Sequence, residues 1–431
     1  MTDRIAIHGL GYVGLTAAVH WARAGWKVLG YDPDPATVAR FNSGTPRAGE
    51  FLEYLDADVR ELLAEGLLEA TSDFDRTLEI RVHSIAVPTE RHGEPYNEIV
   101  TDLVERLLCR LLTNGEPVDI LVESTLTPGT IDAVLETCAL SPEGGLGAKT
   151  LAVCPRRDWF AGKDSHLGAM KRIVGGVTPA CTARAVELLS NVSIDIEPTT
   201  YRTAEITKSL ENALLHAAVM LPSELAMNMR DRDVAEALRL ATTHPRLMPL
   251  YLGAGAGGRC IPIAPRYLNA LHGPHALLST ALIIDDNIRH AAAQAVVQRG
   301  CKSALVLGMG YRPDFKDMGL SPGLAVAKHL RAAGLEVHVH DPMWSPAELA
   351  ELTGLPDMRR EDACVYEADL EPIDAVVLAT PHSLYEGSWA VMGNGGRKFI
   401  LDAQGTWKKY AVDFASRGIE YKQIGQAGWL K

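Results

Sequence analysis

The sequence predicts an α/β protein of two Rossmann-like, doubly wound domains joined by a central helical segment, and three observations predict it. A strand, glycine turn, helix, strand unit opens the chain, the middle shows apolar residues at spacings of three and four, and a second strand and glycine-turn pattern begins beyond Cys301. At 431 residues and 47% hydrophobic content, the chain exceeds what one core supports. The pattern divides it at 1–190, 200–298 and 300–431.

The opening unit reads as a strand at Arg4–His8, a turn at Gly9-Leu10-Gly11-Tyr12-Val13-Gly14, an apolar-faced helix to Ala24 and a strand at Lys27–Tyr31. Short apolar runs at 84–87, 119–122 and 150–153 predict buried strands separated by helices, hence a parallel sheet. From about 203 to 240, Ala204, Leu210, Leu214, Val219 and Leu225 predict a helical stretch. The closing domain shows strand patterns at 303–310, 335–339, 374–378 and 398–401.

Composition narrows the function. A formal charge of -12 repels polyanions, so nucleic acid and anionic membranes are poor partners. Seven scattered cysteines without a CxxC pair predict reduced thiols and no metal site. No run approaches the ~18 apolar residues of a membrane span, and the chain enters Ile5-Ala6-Ile7 without a leader pattern, so a cytoplasmic location is expected.

Gly9, Gly11 and Gly14 form G-x-G-x-x-G between a strand and a helix, and Asp32 ends the next strand. The glycines allow a tight turn and the approach of a pyrophosphate to the helix N-terminus, where free N–H groups favour negative charge. The Asp32 carboxylate suits a ribose 2′-hydroxyl and repels a 2′-phosphate, which predicts NAD over NADP.

Two further segments carry chemistry. Gly253-Ala254-Gly255-Ala256-Gly257-Gly258-Arg259-Cys260-Ile261-Pro262 is a loop too glycine-rich for a strand or helix interior, and it presents one thiol. In Ala204 to Asn212, Lys208 and Asn212 are four apart and share a helix face. An amine near a thiol favours thiolate, and an amine with an amide can donate to a developing oxyanion. The bland alternatives are a buried structural cysteine, a solvated lysine and a core asparagine. Thr125, ahead of Pro128-Gly129, has either a site role or a helix-capping one.

With these residues the chain resembles the UDP-glucose/GDP-mannose dehydrogenase family. Its G-G-x-C-x-P loop matches 257–262 and its A-E-x-x-K-x-x-x-N helix matches 204–212. Val87-Pro88-Thr89, 124–130, 172–176, 308–313 and His340-Asp341-Pro342 match in the same order, so the resemblance covers nearly the whole chain. Thr243-His244-Pro245-Arg246 is closer to the branch acting on N-acetylated hexosamines, such as UDP-N-acetylmannosamine.

The resemblance implies NAD-dependent oxidation of a nucleotide sugar at C6 to a uronic acid through a thiohemiacetal and thioester on Cys260. It implies cofactor contacts at Gly9, Gly11, Tyr12, Val13, Gly14, Asp32, Pro88, Thr89 and Thr125, and catalytic roles for Cys260, Lys208, Asn212 and Thr125. Lys208, Asn212, Arg246, Gly257, Arg259 and Arg266 are implied for the substrate, the arginines meeting its diphosphate. An arginine at the place of Arg246 enters a neighbouring subunit's site in this family, so a homodimer or higher homo-oligomer is implied.

Three positions depart from the family. Arg156 stands where it has a glutamate that activates water, and Arg156 cannot be a base. Asp158 is the nearby carboxylate for that role, the alternative being a solvated loop charge. Ala264 replaces an aspartate after the cysteine loop, and Gly319 replaces an arginine in the segment Asp317 to Pro322. Three readings stay open: a four-electron dehydrogenase, a two-electron alcohol dehydrogenase on a related nucleotidyl or phosphorylated substrate, and a catalytically silent nucleotide-sugar-binding protein. The intact cysteine loop argues against the last.

Overall fold

The computed structural model describes residues 3–46, 55–112, 117–144, 146–157, 170–271, 273–356, 373–392 and 396–431. It forms two compact units, Met1–Glu211 with Arg266–Gly273, and Asn212–Pro265 with Pro274–Lys431.

The first unit is built on strands β1 (Arg4–His8), β2 (Lys27–Tyr31), β3 (Leu68–Thr71), β4 (Val82–Ile85), the hairpin β5 (Glu90–Arg91) and β6 (Glu94–Pro95), then β7 (Val118–Val122), β8 (Lys149–Val153), β9 (Arg172–Gly176) and β10 (Ile196–Thr200). The main sheet has the order β10-β9-β8-β7-β4-β1-β2-β3, parallel except between β8 and β9. Ile5, Ala6 and Ile7 are all fully buried. Continuous burial, with no alternation, is what a parallel strand covered on both faces requires. The chain fills the sheet outward from β1 through β2 and β3, then jumps back to β4 on the other side of β1. That reversal opens a crevice at the carboxyl ends of β1 and β4, where doubly wound sheets hold ligands.

The sequence pattern at 203–240 reads as one helical stretch, whereas the structure has two helices, Tyr201–Asn228 and Val234–Ala241. The exposed run Met229 to Arg232 separates them, and the Asp233 carboxylate caps the second by accepting the Glu236 N–H. Strands β3, β9 and β10 escape a hydrophobic-run reading because they are short, glycine-ended or largely exposed.

The second unit carries β11 (Ser303–Leu307), β12 (Glu336–His340), β13 (Ala375–Leu378), β14 (Phe399–Asp402) and β15 (Glu420–Gln423) in a parallel sheet of order β12-β11-β13-β14-β15. The helix Ala276–Val297 buries Ile288, Ala292, Ala295 and Val296 in the same core as Val306, Val337 and Leu401. Among the described residues no helix is long and apolar enough to cross a membrane, and no cluster of three His, Cys, Asp or Glu side chains could hold a metal ion.

Candidate active site

The glycine turn has the geometry its spacing predicts. Gly9 has φ +89°, and a Cβ there would lie 2.6 Å from the Ala86 carbonyl oxygen. A Cβ on Gly14 would lie 1.7 Å from the Gly9 carbonyl oxygen, so the helix Tyr12–Arg23 packs onto the turn only without a side chain. At Gly11 nothing lies within 4 Å. Gly11 also begins the helix without a side-chain cap, and the positive end of a helix dipole favours a negatively charged ligand there. Tyr12 and Val13 follow, half-buried.

Asp32 is held in place from both sides. Leu10 N–H donates to its Oδ2 and Asp34 N–H to its Oδ1, each at 3.0 Å. With Gly11, Thr37 and Arg40 it lines a cleft of about 240 Å³. The open glycine, the uncapped helix and this half-exposed carboxylate fit the pyrophosphate and adenine-side ribose of NAD.

Thr89 and Thr125 come together at the carboxyl ends of β4 and β7. Thr89 Oγ1 donates to the Thr125 carbonyl at 2.5 Å, and Tyr267 OH donates to the Thr89 carbonyl at 2.8 Å. Pro88 is exposed beside them. The capping alternative for Thr125 is not realised, because the next helix, Thr130–Thr137, is capped by Gly129 at φ 90°. Its first N–H groups are met by Glu205, which accepts from Gly129 and Ile131 at 2.9 Å each. Burial pushes the Glu205 carboxyl up to about 7 against those two donors. Glu205 thus ties the Thr125 loop to the helix that presents Lys208 one turn later. Nothing in the hydrophobic pattern marked Glu205 or Tyr267; Glu205 stands in the matched segment 204–212, and none of the matched segments reaches Tyr267.

Lys208 and Asn212 are half-buried and one turn apart on the helix Tyr201–Asn228. The ammonium lies 3.6 Å from Glu211, which also pairs with Arg157 at 2.5 Å.

Arg156 is a structural cation. It is buried, lies 3.1 Å from the buried Glu123 carboxylate, and donates to Thr16 Oγ1 at 2.9 Å and the Val13 carbonyl at 3.2 Å. It therefore fastens the first turn of the cofactor helix to the end of β7, a task no glutamate beside Glu123 would perform. Asp158 lies outside the described residues.

The cysteine loop is clamped within the second unit. Asp285 Oδ1 accepts the Ala256 N–H at 2.8 Å, and Arg289 donates to the Ala256 carbonyl at 2.6 Å and to Asp285 Oδ2 at 2.7 Å. His216, one turn beyond Asn212, lies 3.4 Å from the same Asp285. One carboxylate therefore supports the cysteine loop and touches the helix that carries Asn212. The glycines serve this packing as much as any ligand. A Cβ at Gly255 would meet Asp285 and Arg289 at 2.8 Å, and one at Gly257 would lie 2.6 Å from Tyr311. Cys260 is exposed at the end of the loop, while Ala264 is fully buried. Asp285 and Arg289 are support residues that motif reading missed, since they lie far along the chain in ordinary helical sequence, whereas Tyr311 falls in the matched segment 308–313 without a role assigned to it there.

The arginines differ in their surroundings. Arg246 is exposed in the segment after Val234–Ala241, and Arg266, in the first unit, pairs with Glu94. Arg259 lies against Gly319: a Cβ at 319 would be 3.0 Å from Arg259 Cγ, and Gly258 N–H donates to the Gly319 carbonyl at 2.8 Å. The space that a side chain at 319 would enter is thus occupied by Arg259.

The second glycine turn repeats the first and then diverges. Gly308 has φ +87°, and a Cβ on Gly323 would lie 2.2 Å from the Gly308 carbonyl, as with Gly9 and Gly14. Asp341 takes the place of Asp32, accepting N–H groups from Met309 and Gly310. Yet Asp341 is fully buried and receives His382 Nε2–H at 2.9 Å, which with the neighbouring backbone N–H groups overcomes burial and holds its carboxyl below the usual range. It has no free face for a ribose hydroxyl, so only the first turn keeps the dinucleotide geometry.

Three family models match in succession. They are the NAD-binding domain of the UDP-glucose/GDP-mannose dehydrogenase family over residues 3–193, its central domain over 202–283 and its UDP-binding domain over 305–409. A UDP-N-acetyl-D-mannosamine dehydrogenase of Pyrococcus horikoshii is 30% identical over 434 residues, covering 96% of this chain and 99% of its own. One from Escherichia coli is 26% identical, covering 94% and 99%. A solved UDP-D-ManNAc dehydrogenase from Pyrococcus horikoshii superposes with a TM-score of 0.82 at 26% identity, covering 99% of this chain and all of the other. The chain therefore belongs to the UDP-glucose/GDP-mannose dehydrogenase family, and it is an NAD-dependent nucleotide-sugar dehydrogenase.

Proposed function

We propose that the chain oxidises a UDP-linked N-acetylhexosamine at C6 to the uronic acid, with Cys260 carrying the intermediate. The observation that carries this reading is the exposed Cys260 at the end of a loop fixed by Asp285, which also contacts the helix bearing Asn212. The sugar class is supported by the names of the two curated relatives, both UDP-N-acetyl-D-mannosamine dehydrogenases.

NAD, held by Gly9, Gly11, Tyr12, Val13, Gly14, Asp32, Pro88, Thr89 and Thr125, supplies the two oxidations. Lys208 and Asn212 donate to the oxygen on C6 as it gains negative charge, an interaction whose loss typically costs ~2.7–4 kcal/mol. The Cys260 thiolate adds to the aldehyde carbon, giving a thiohemiacetal whose oxidation leaves a thioester. Water then opens the thioester and frees the thiol and the uronic acid. Arg156 has no part in that step, and Asp158 is the base proposed for it. Arg246, Arg259, Arg266 and the Gly257 backbone receive the diphosphate.

In this reading 1–190 binds the cofactor, 200–298 carries the catalytic groups and 300–431 holds the nucleotide end of the substrate. The chain works in the cytoplasm as a homodimer or higher homo-oligomer. Leu214, Leu221 and Leu225 form an exposed apolar stripe on one helix, a face suited to a second copy. NADH formation against a panel of UDP-hexoses and UDP-N-acetylhexosamines, with mass spectrometry of the product, tests the assignment. A uronic acid from an N-acetylated substrate supports it, whereas one NADH per sugar and an aldehyde or ketone product would establish the two-electron reaction instead.

A further inference from the structure

Two thiols outside the catalytic machinery face each other in the first unit. Cys109 is exposed near the carboxyl end of the helix Glu98–Leu112, and Cys138, half-buried, is the C-cap of the helix Thr130–Thr137. Their sulfurs are 3.5 Å apart, within hydrogen-bond reach. The other described cysteines of this unit, Cys154 and Cys181, are buried.

The surroundings split the pair into an attacking and a resolving thiol. Burial pushes the Cys138 thiol up to about 12, and the hydrogen bond with Cys109 and the nearby Glu105 add to that, so Cys138 keeps its proton. Cys109 is the exposed member, the one a dissolved peroxide reaches first, and a second thiol 3.5 Å away is in reach to close on it, which is the arrangement of a redox-sensitive site.

We propose that Cys109 and Cys138 are a reversible thiol–disulfide site, oxidised by peroxides. The Cys109 thiolate attacks one peroxide oxygen and the O–O bond breaks, giving a sulfenic acid and hydroxide. The Cys138 sulfur then attacks the Cys109 sulfur, the S–O bond breaks, and the displaced oxygen leaves as water with the Cys138 proton. In sum, two thiols and hydrogen peroxide give one disulfide and two waters, and a dithiol reductant reverses the change.

The consequence is mechanical. The helix of Cys109 starts after Asn97, whose side-chain amide donates to Thr127 Oγ1 at 2.6 Å, and the helix of Cys138 starts at the Gly129 turn held by Glu205. Closing the bond at the far ends of these helices locks the segment that carries the Thr125 loop, without touching the residues proposed to meet cofactor or sugar.

The test treats the NAD-bound protein with hydrogen peroxide, alkylates remaining thiols and maps tryptic peptides without reduction; cleavage at Arg110 separates the two cysteines. The expected result is a linked peptide pair lighter by two hydrogens, released by dithiothreitol, and a rise of about 5–10 °C in the melting of the cofactor-binding unit. Cys109→Ser should give no linked pair, leave Cys138 alkylated and melt at the same temperature with or without peroxide. Cys109 driven to sulfinic or sulfonic acid while Cys138 stays alkylatable, or either cysteine linked to Cys260, would overturn the proposal. The peptide map requires no turnover, so its outcome is independent of which sugar is oxidised.

Discussion

Asp285 accepts the Ala256 N–H at 2.8 Å, so a helix residue fixes the loop that ends in Cys260. Its other oxygen holds Arg289, which in turn binds the Ala256 carbonyl. Asp285→Asn keeps the shape but replaces an acceptor with a donor and leaves Arg289 without its counter-charge. The expected result is a fall in kcat of up to ~100-fold from a misplaced thiol, with NAD affinity within about twofold of the parent. Steady-state kinetics with calorimetry of NAD binding checks this; unchanged kcat would mean that the loop is positioned by other contacts.

Cofactor choice follows from Asp32. A 2′-phosphate in the cleft would face a carboxylate already held by Leu10 and Asp34 N–H groups, which keep it aimed. NADP is expected to bind at least ~10–100-fold more weakly than NAD, on the order of 1.4–2.8 kcal/mol. Asp32→Ala should narrow that gap, since Arg40 lines the same cleft. Equal affinities in the parent would show that the carboxylate does not face the ribose.

The cofactor-binding unit should lose stability in mild acid. His8 Nε2 and His83 Nδ1 lie 3.0 Å apart and fully buried on the adjacent strands β1 and β4. Burial lowers His83 to about 4, against the raising effects of the Ile80 backbone and Asp119. Burial, His83 and Arg106 lower His8 as well. Both folded values lie below the unfolded value of ~6.5, so between them only the unfolded chain takes up the protons and stability falls as pH falls. Glu205, raised to about 7, has the opposite sign, contributing stability at low pH that is lost as pH rises through 7. His83→Phe isolates the histidine part: between pH 7.5 and 5 the parent should lose about 2 kcal/mol more than the variant in urea unfolding. Parallel losses would show that the pair does not resist protonation.

What the sequence made legible was local and periodic. The glycine turn, Asp32, the cysteine loop and the Lys208-Asn212 face are encoded by neighbours in the chain, and the structure shows the turn and loop in the expected form. Residues that act across long separations were not legible. Asp285 reaches back to Ala256, Glu205 to Gly129 and Arg156 to Thr16, and even where the segment matches a motif, as at Glu205, its spacing does not name the distant partner. Arg156 is the clearest case. From sequence it appeared only as a missing base, whereas its buried pairing with Glu123 gives it a structural role of its own.

The central claim, that Cys260 carries the sugar between two oxidations, is tested most directly by product analysis of Cys260→Ser with a UDP-N-acetylhexosamine. The parent should release two NADH per sugar and a uronic acid. The variant should bind NAD with unchanged affinity and form no carboxylate, since a serine hydroxyl is far less nucleophilic than a thiolate and an ester opens less readily than a thioester. Full uronic acid production by Cys260→Ser would contradict the account.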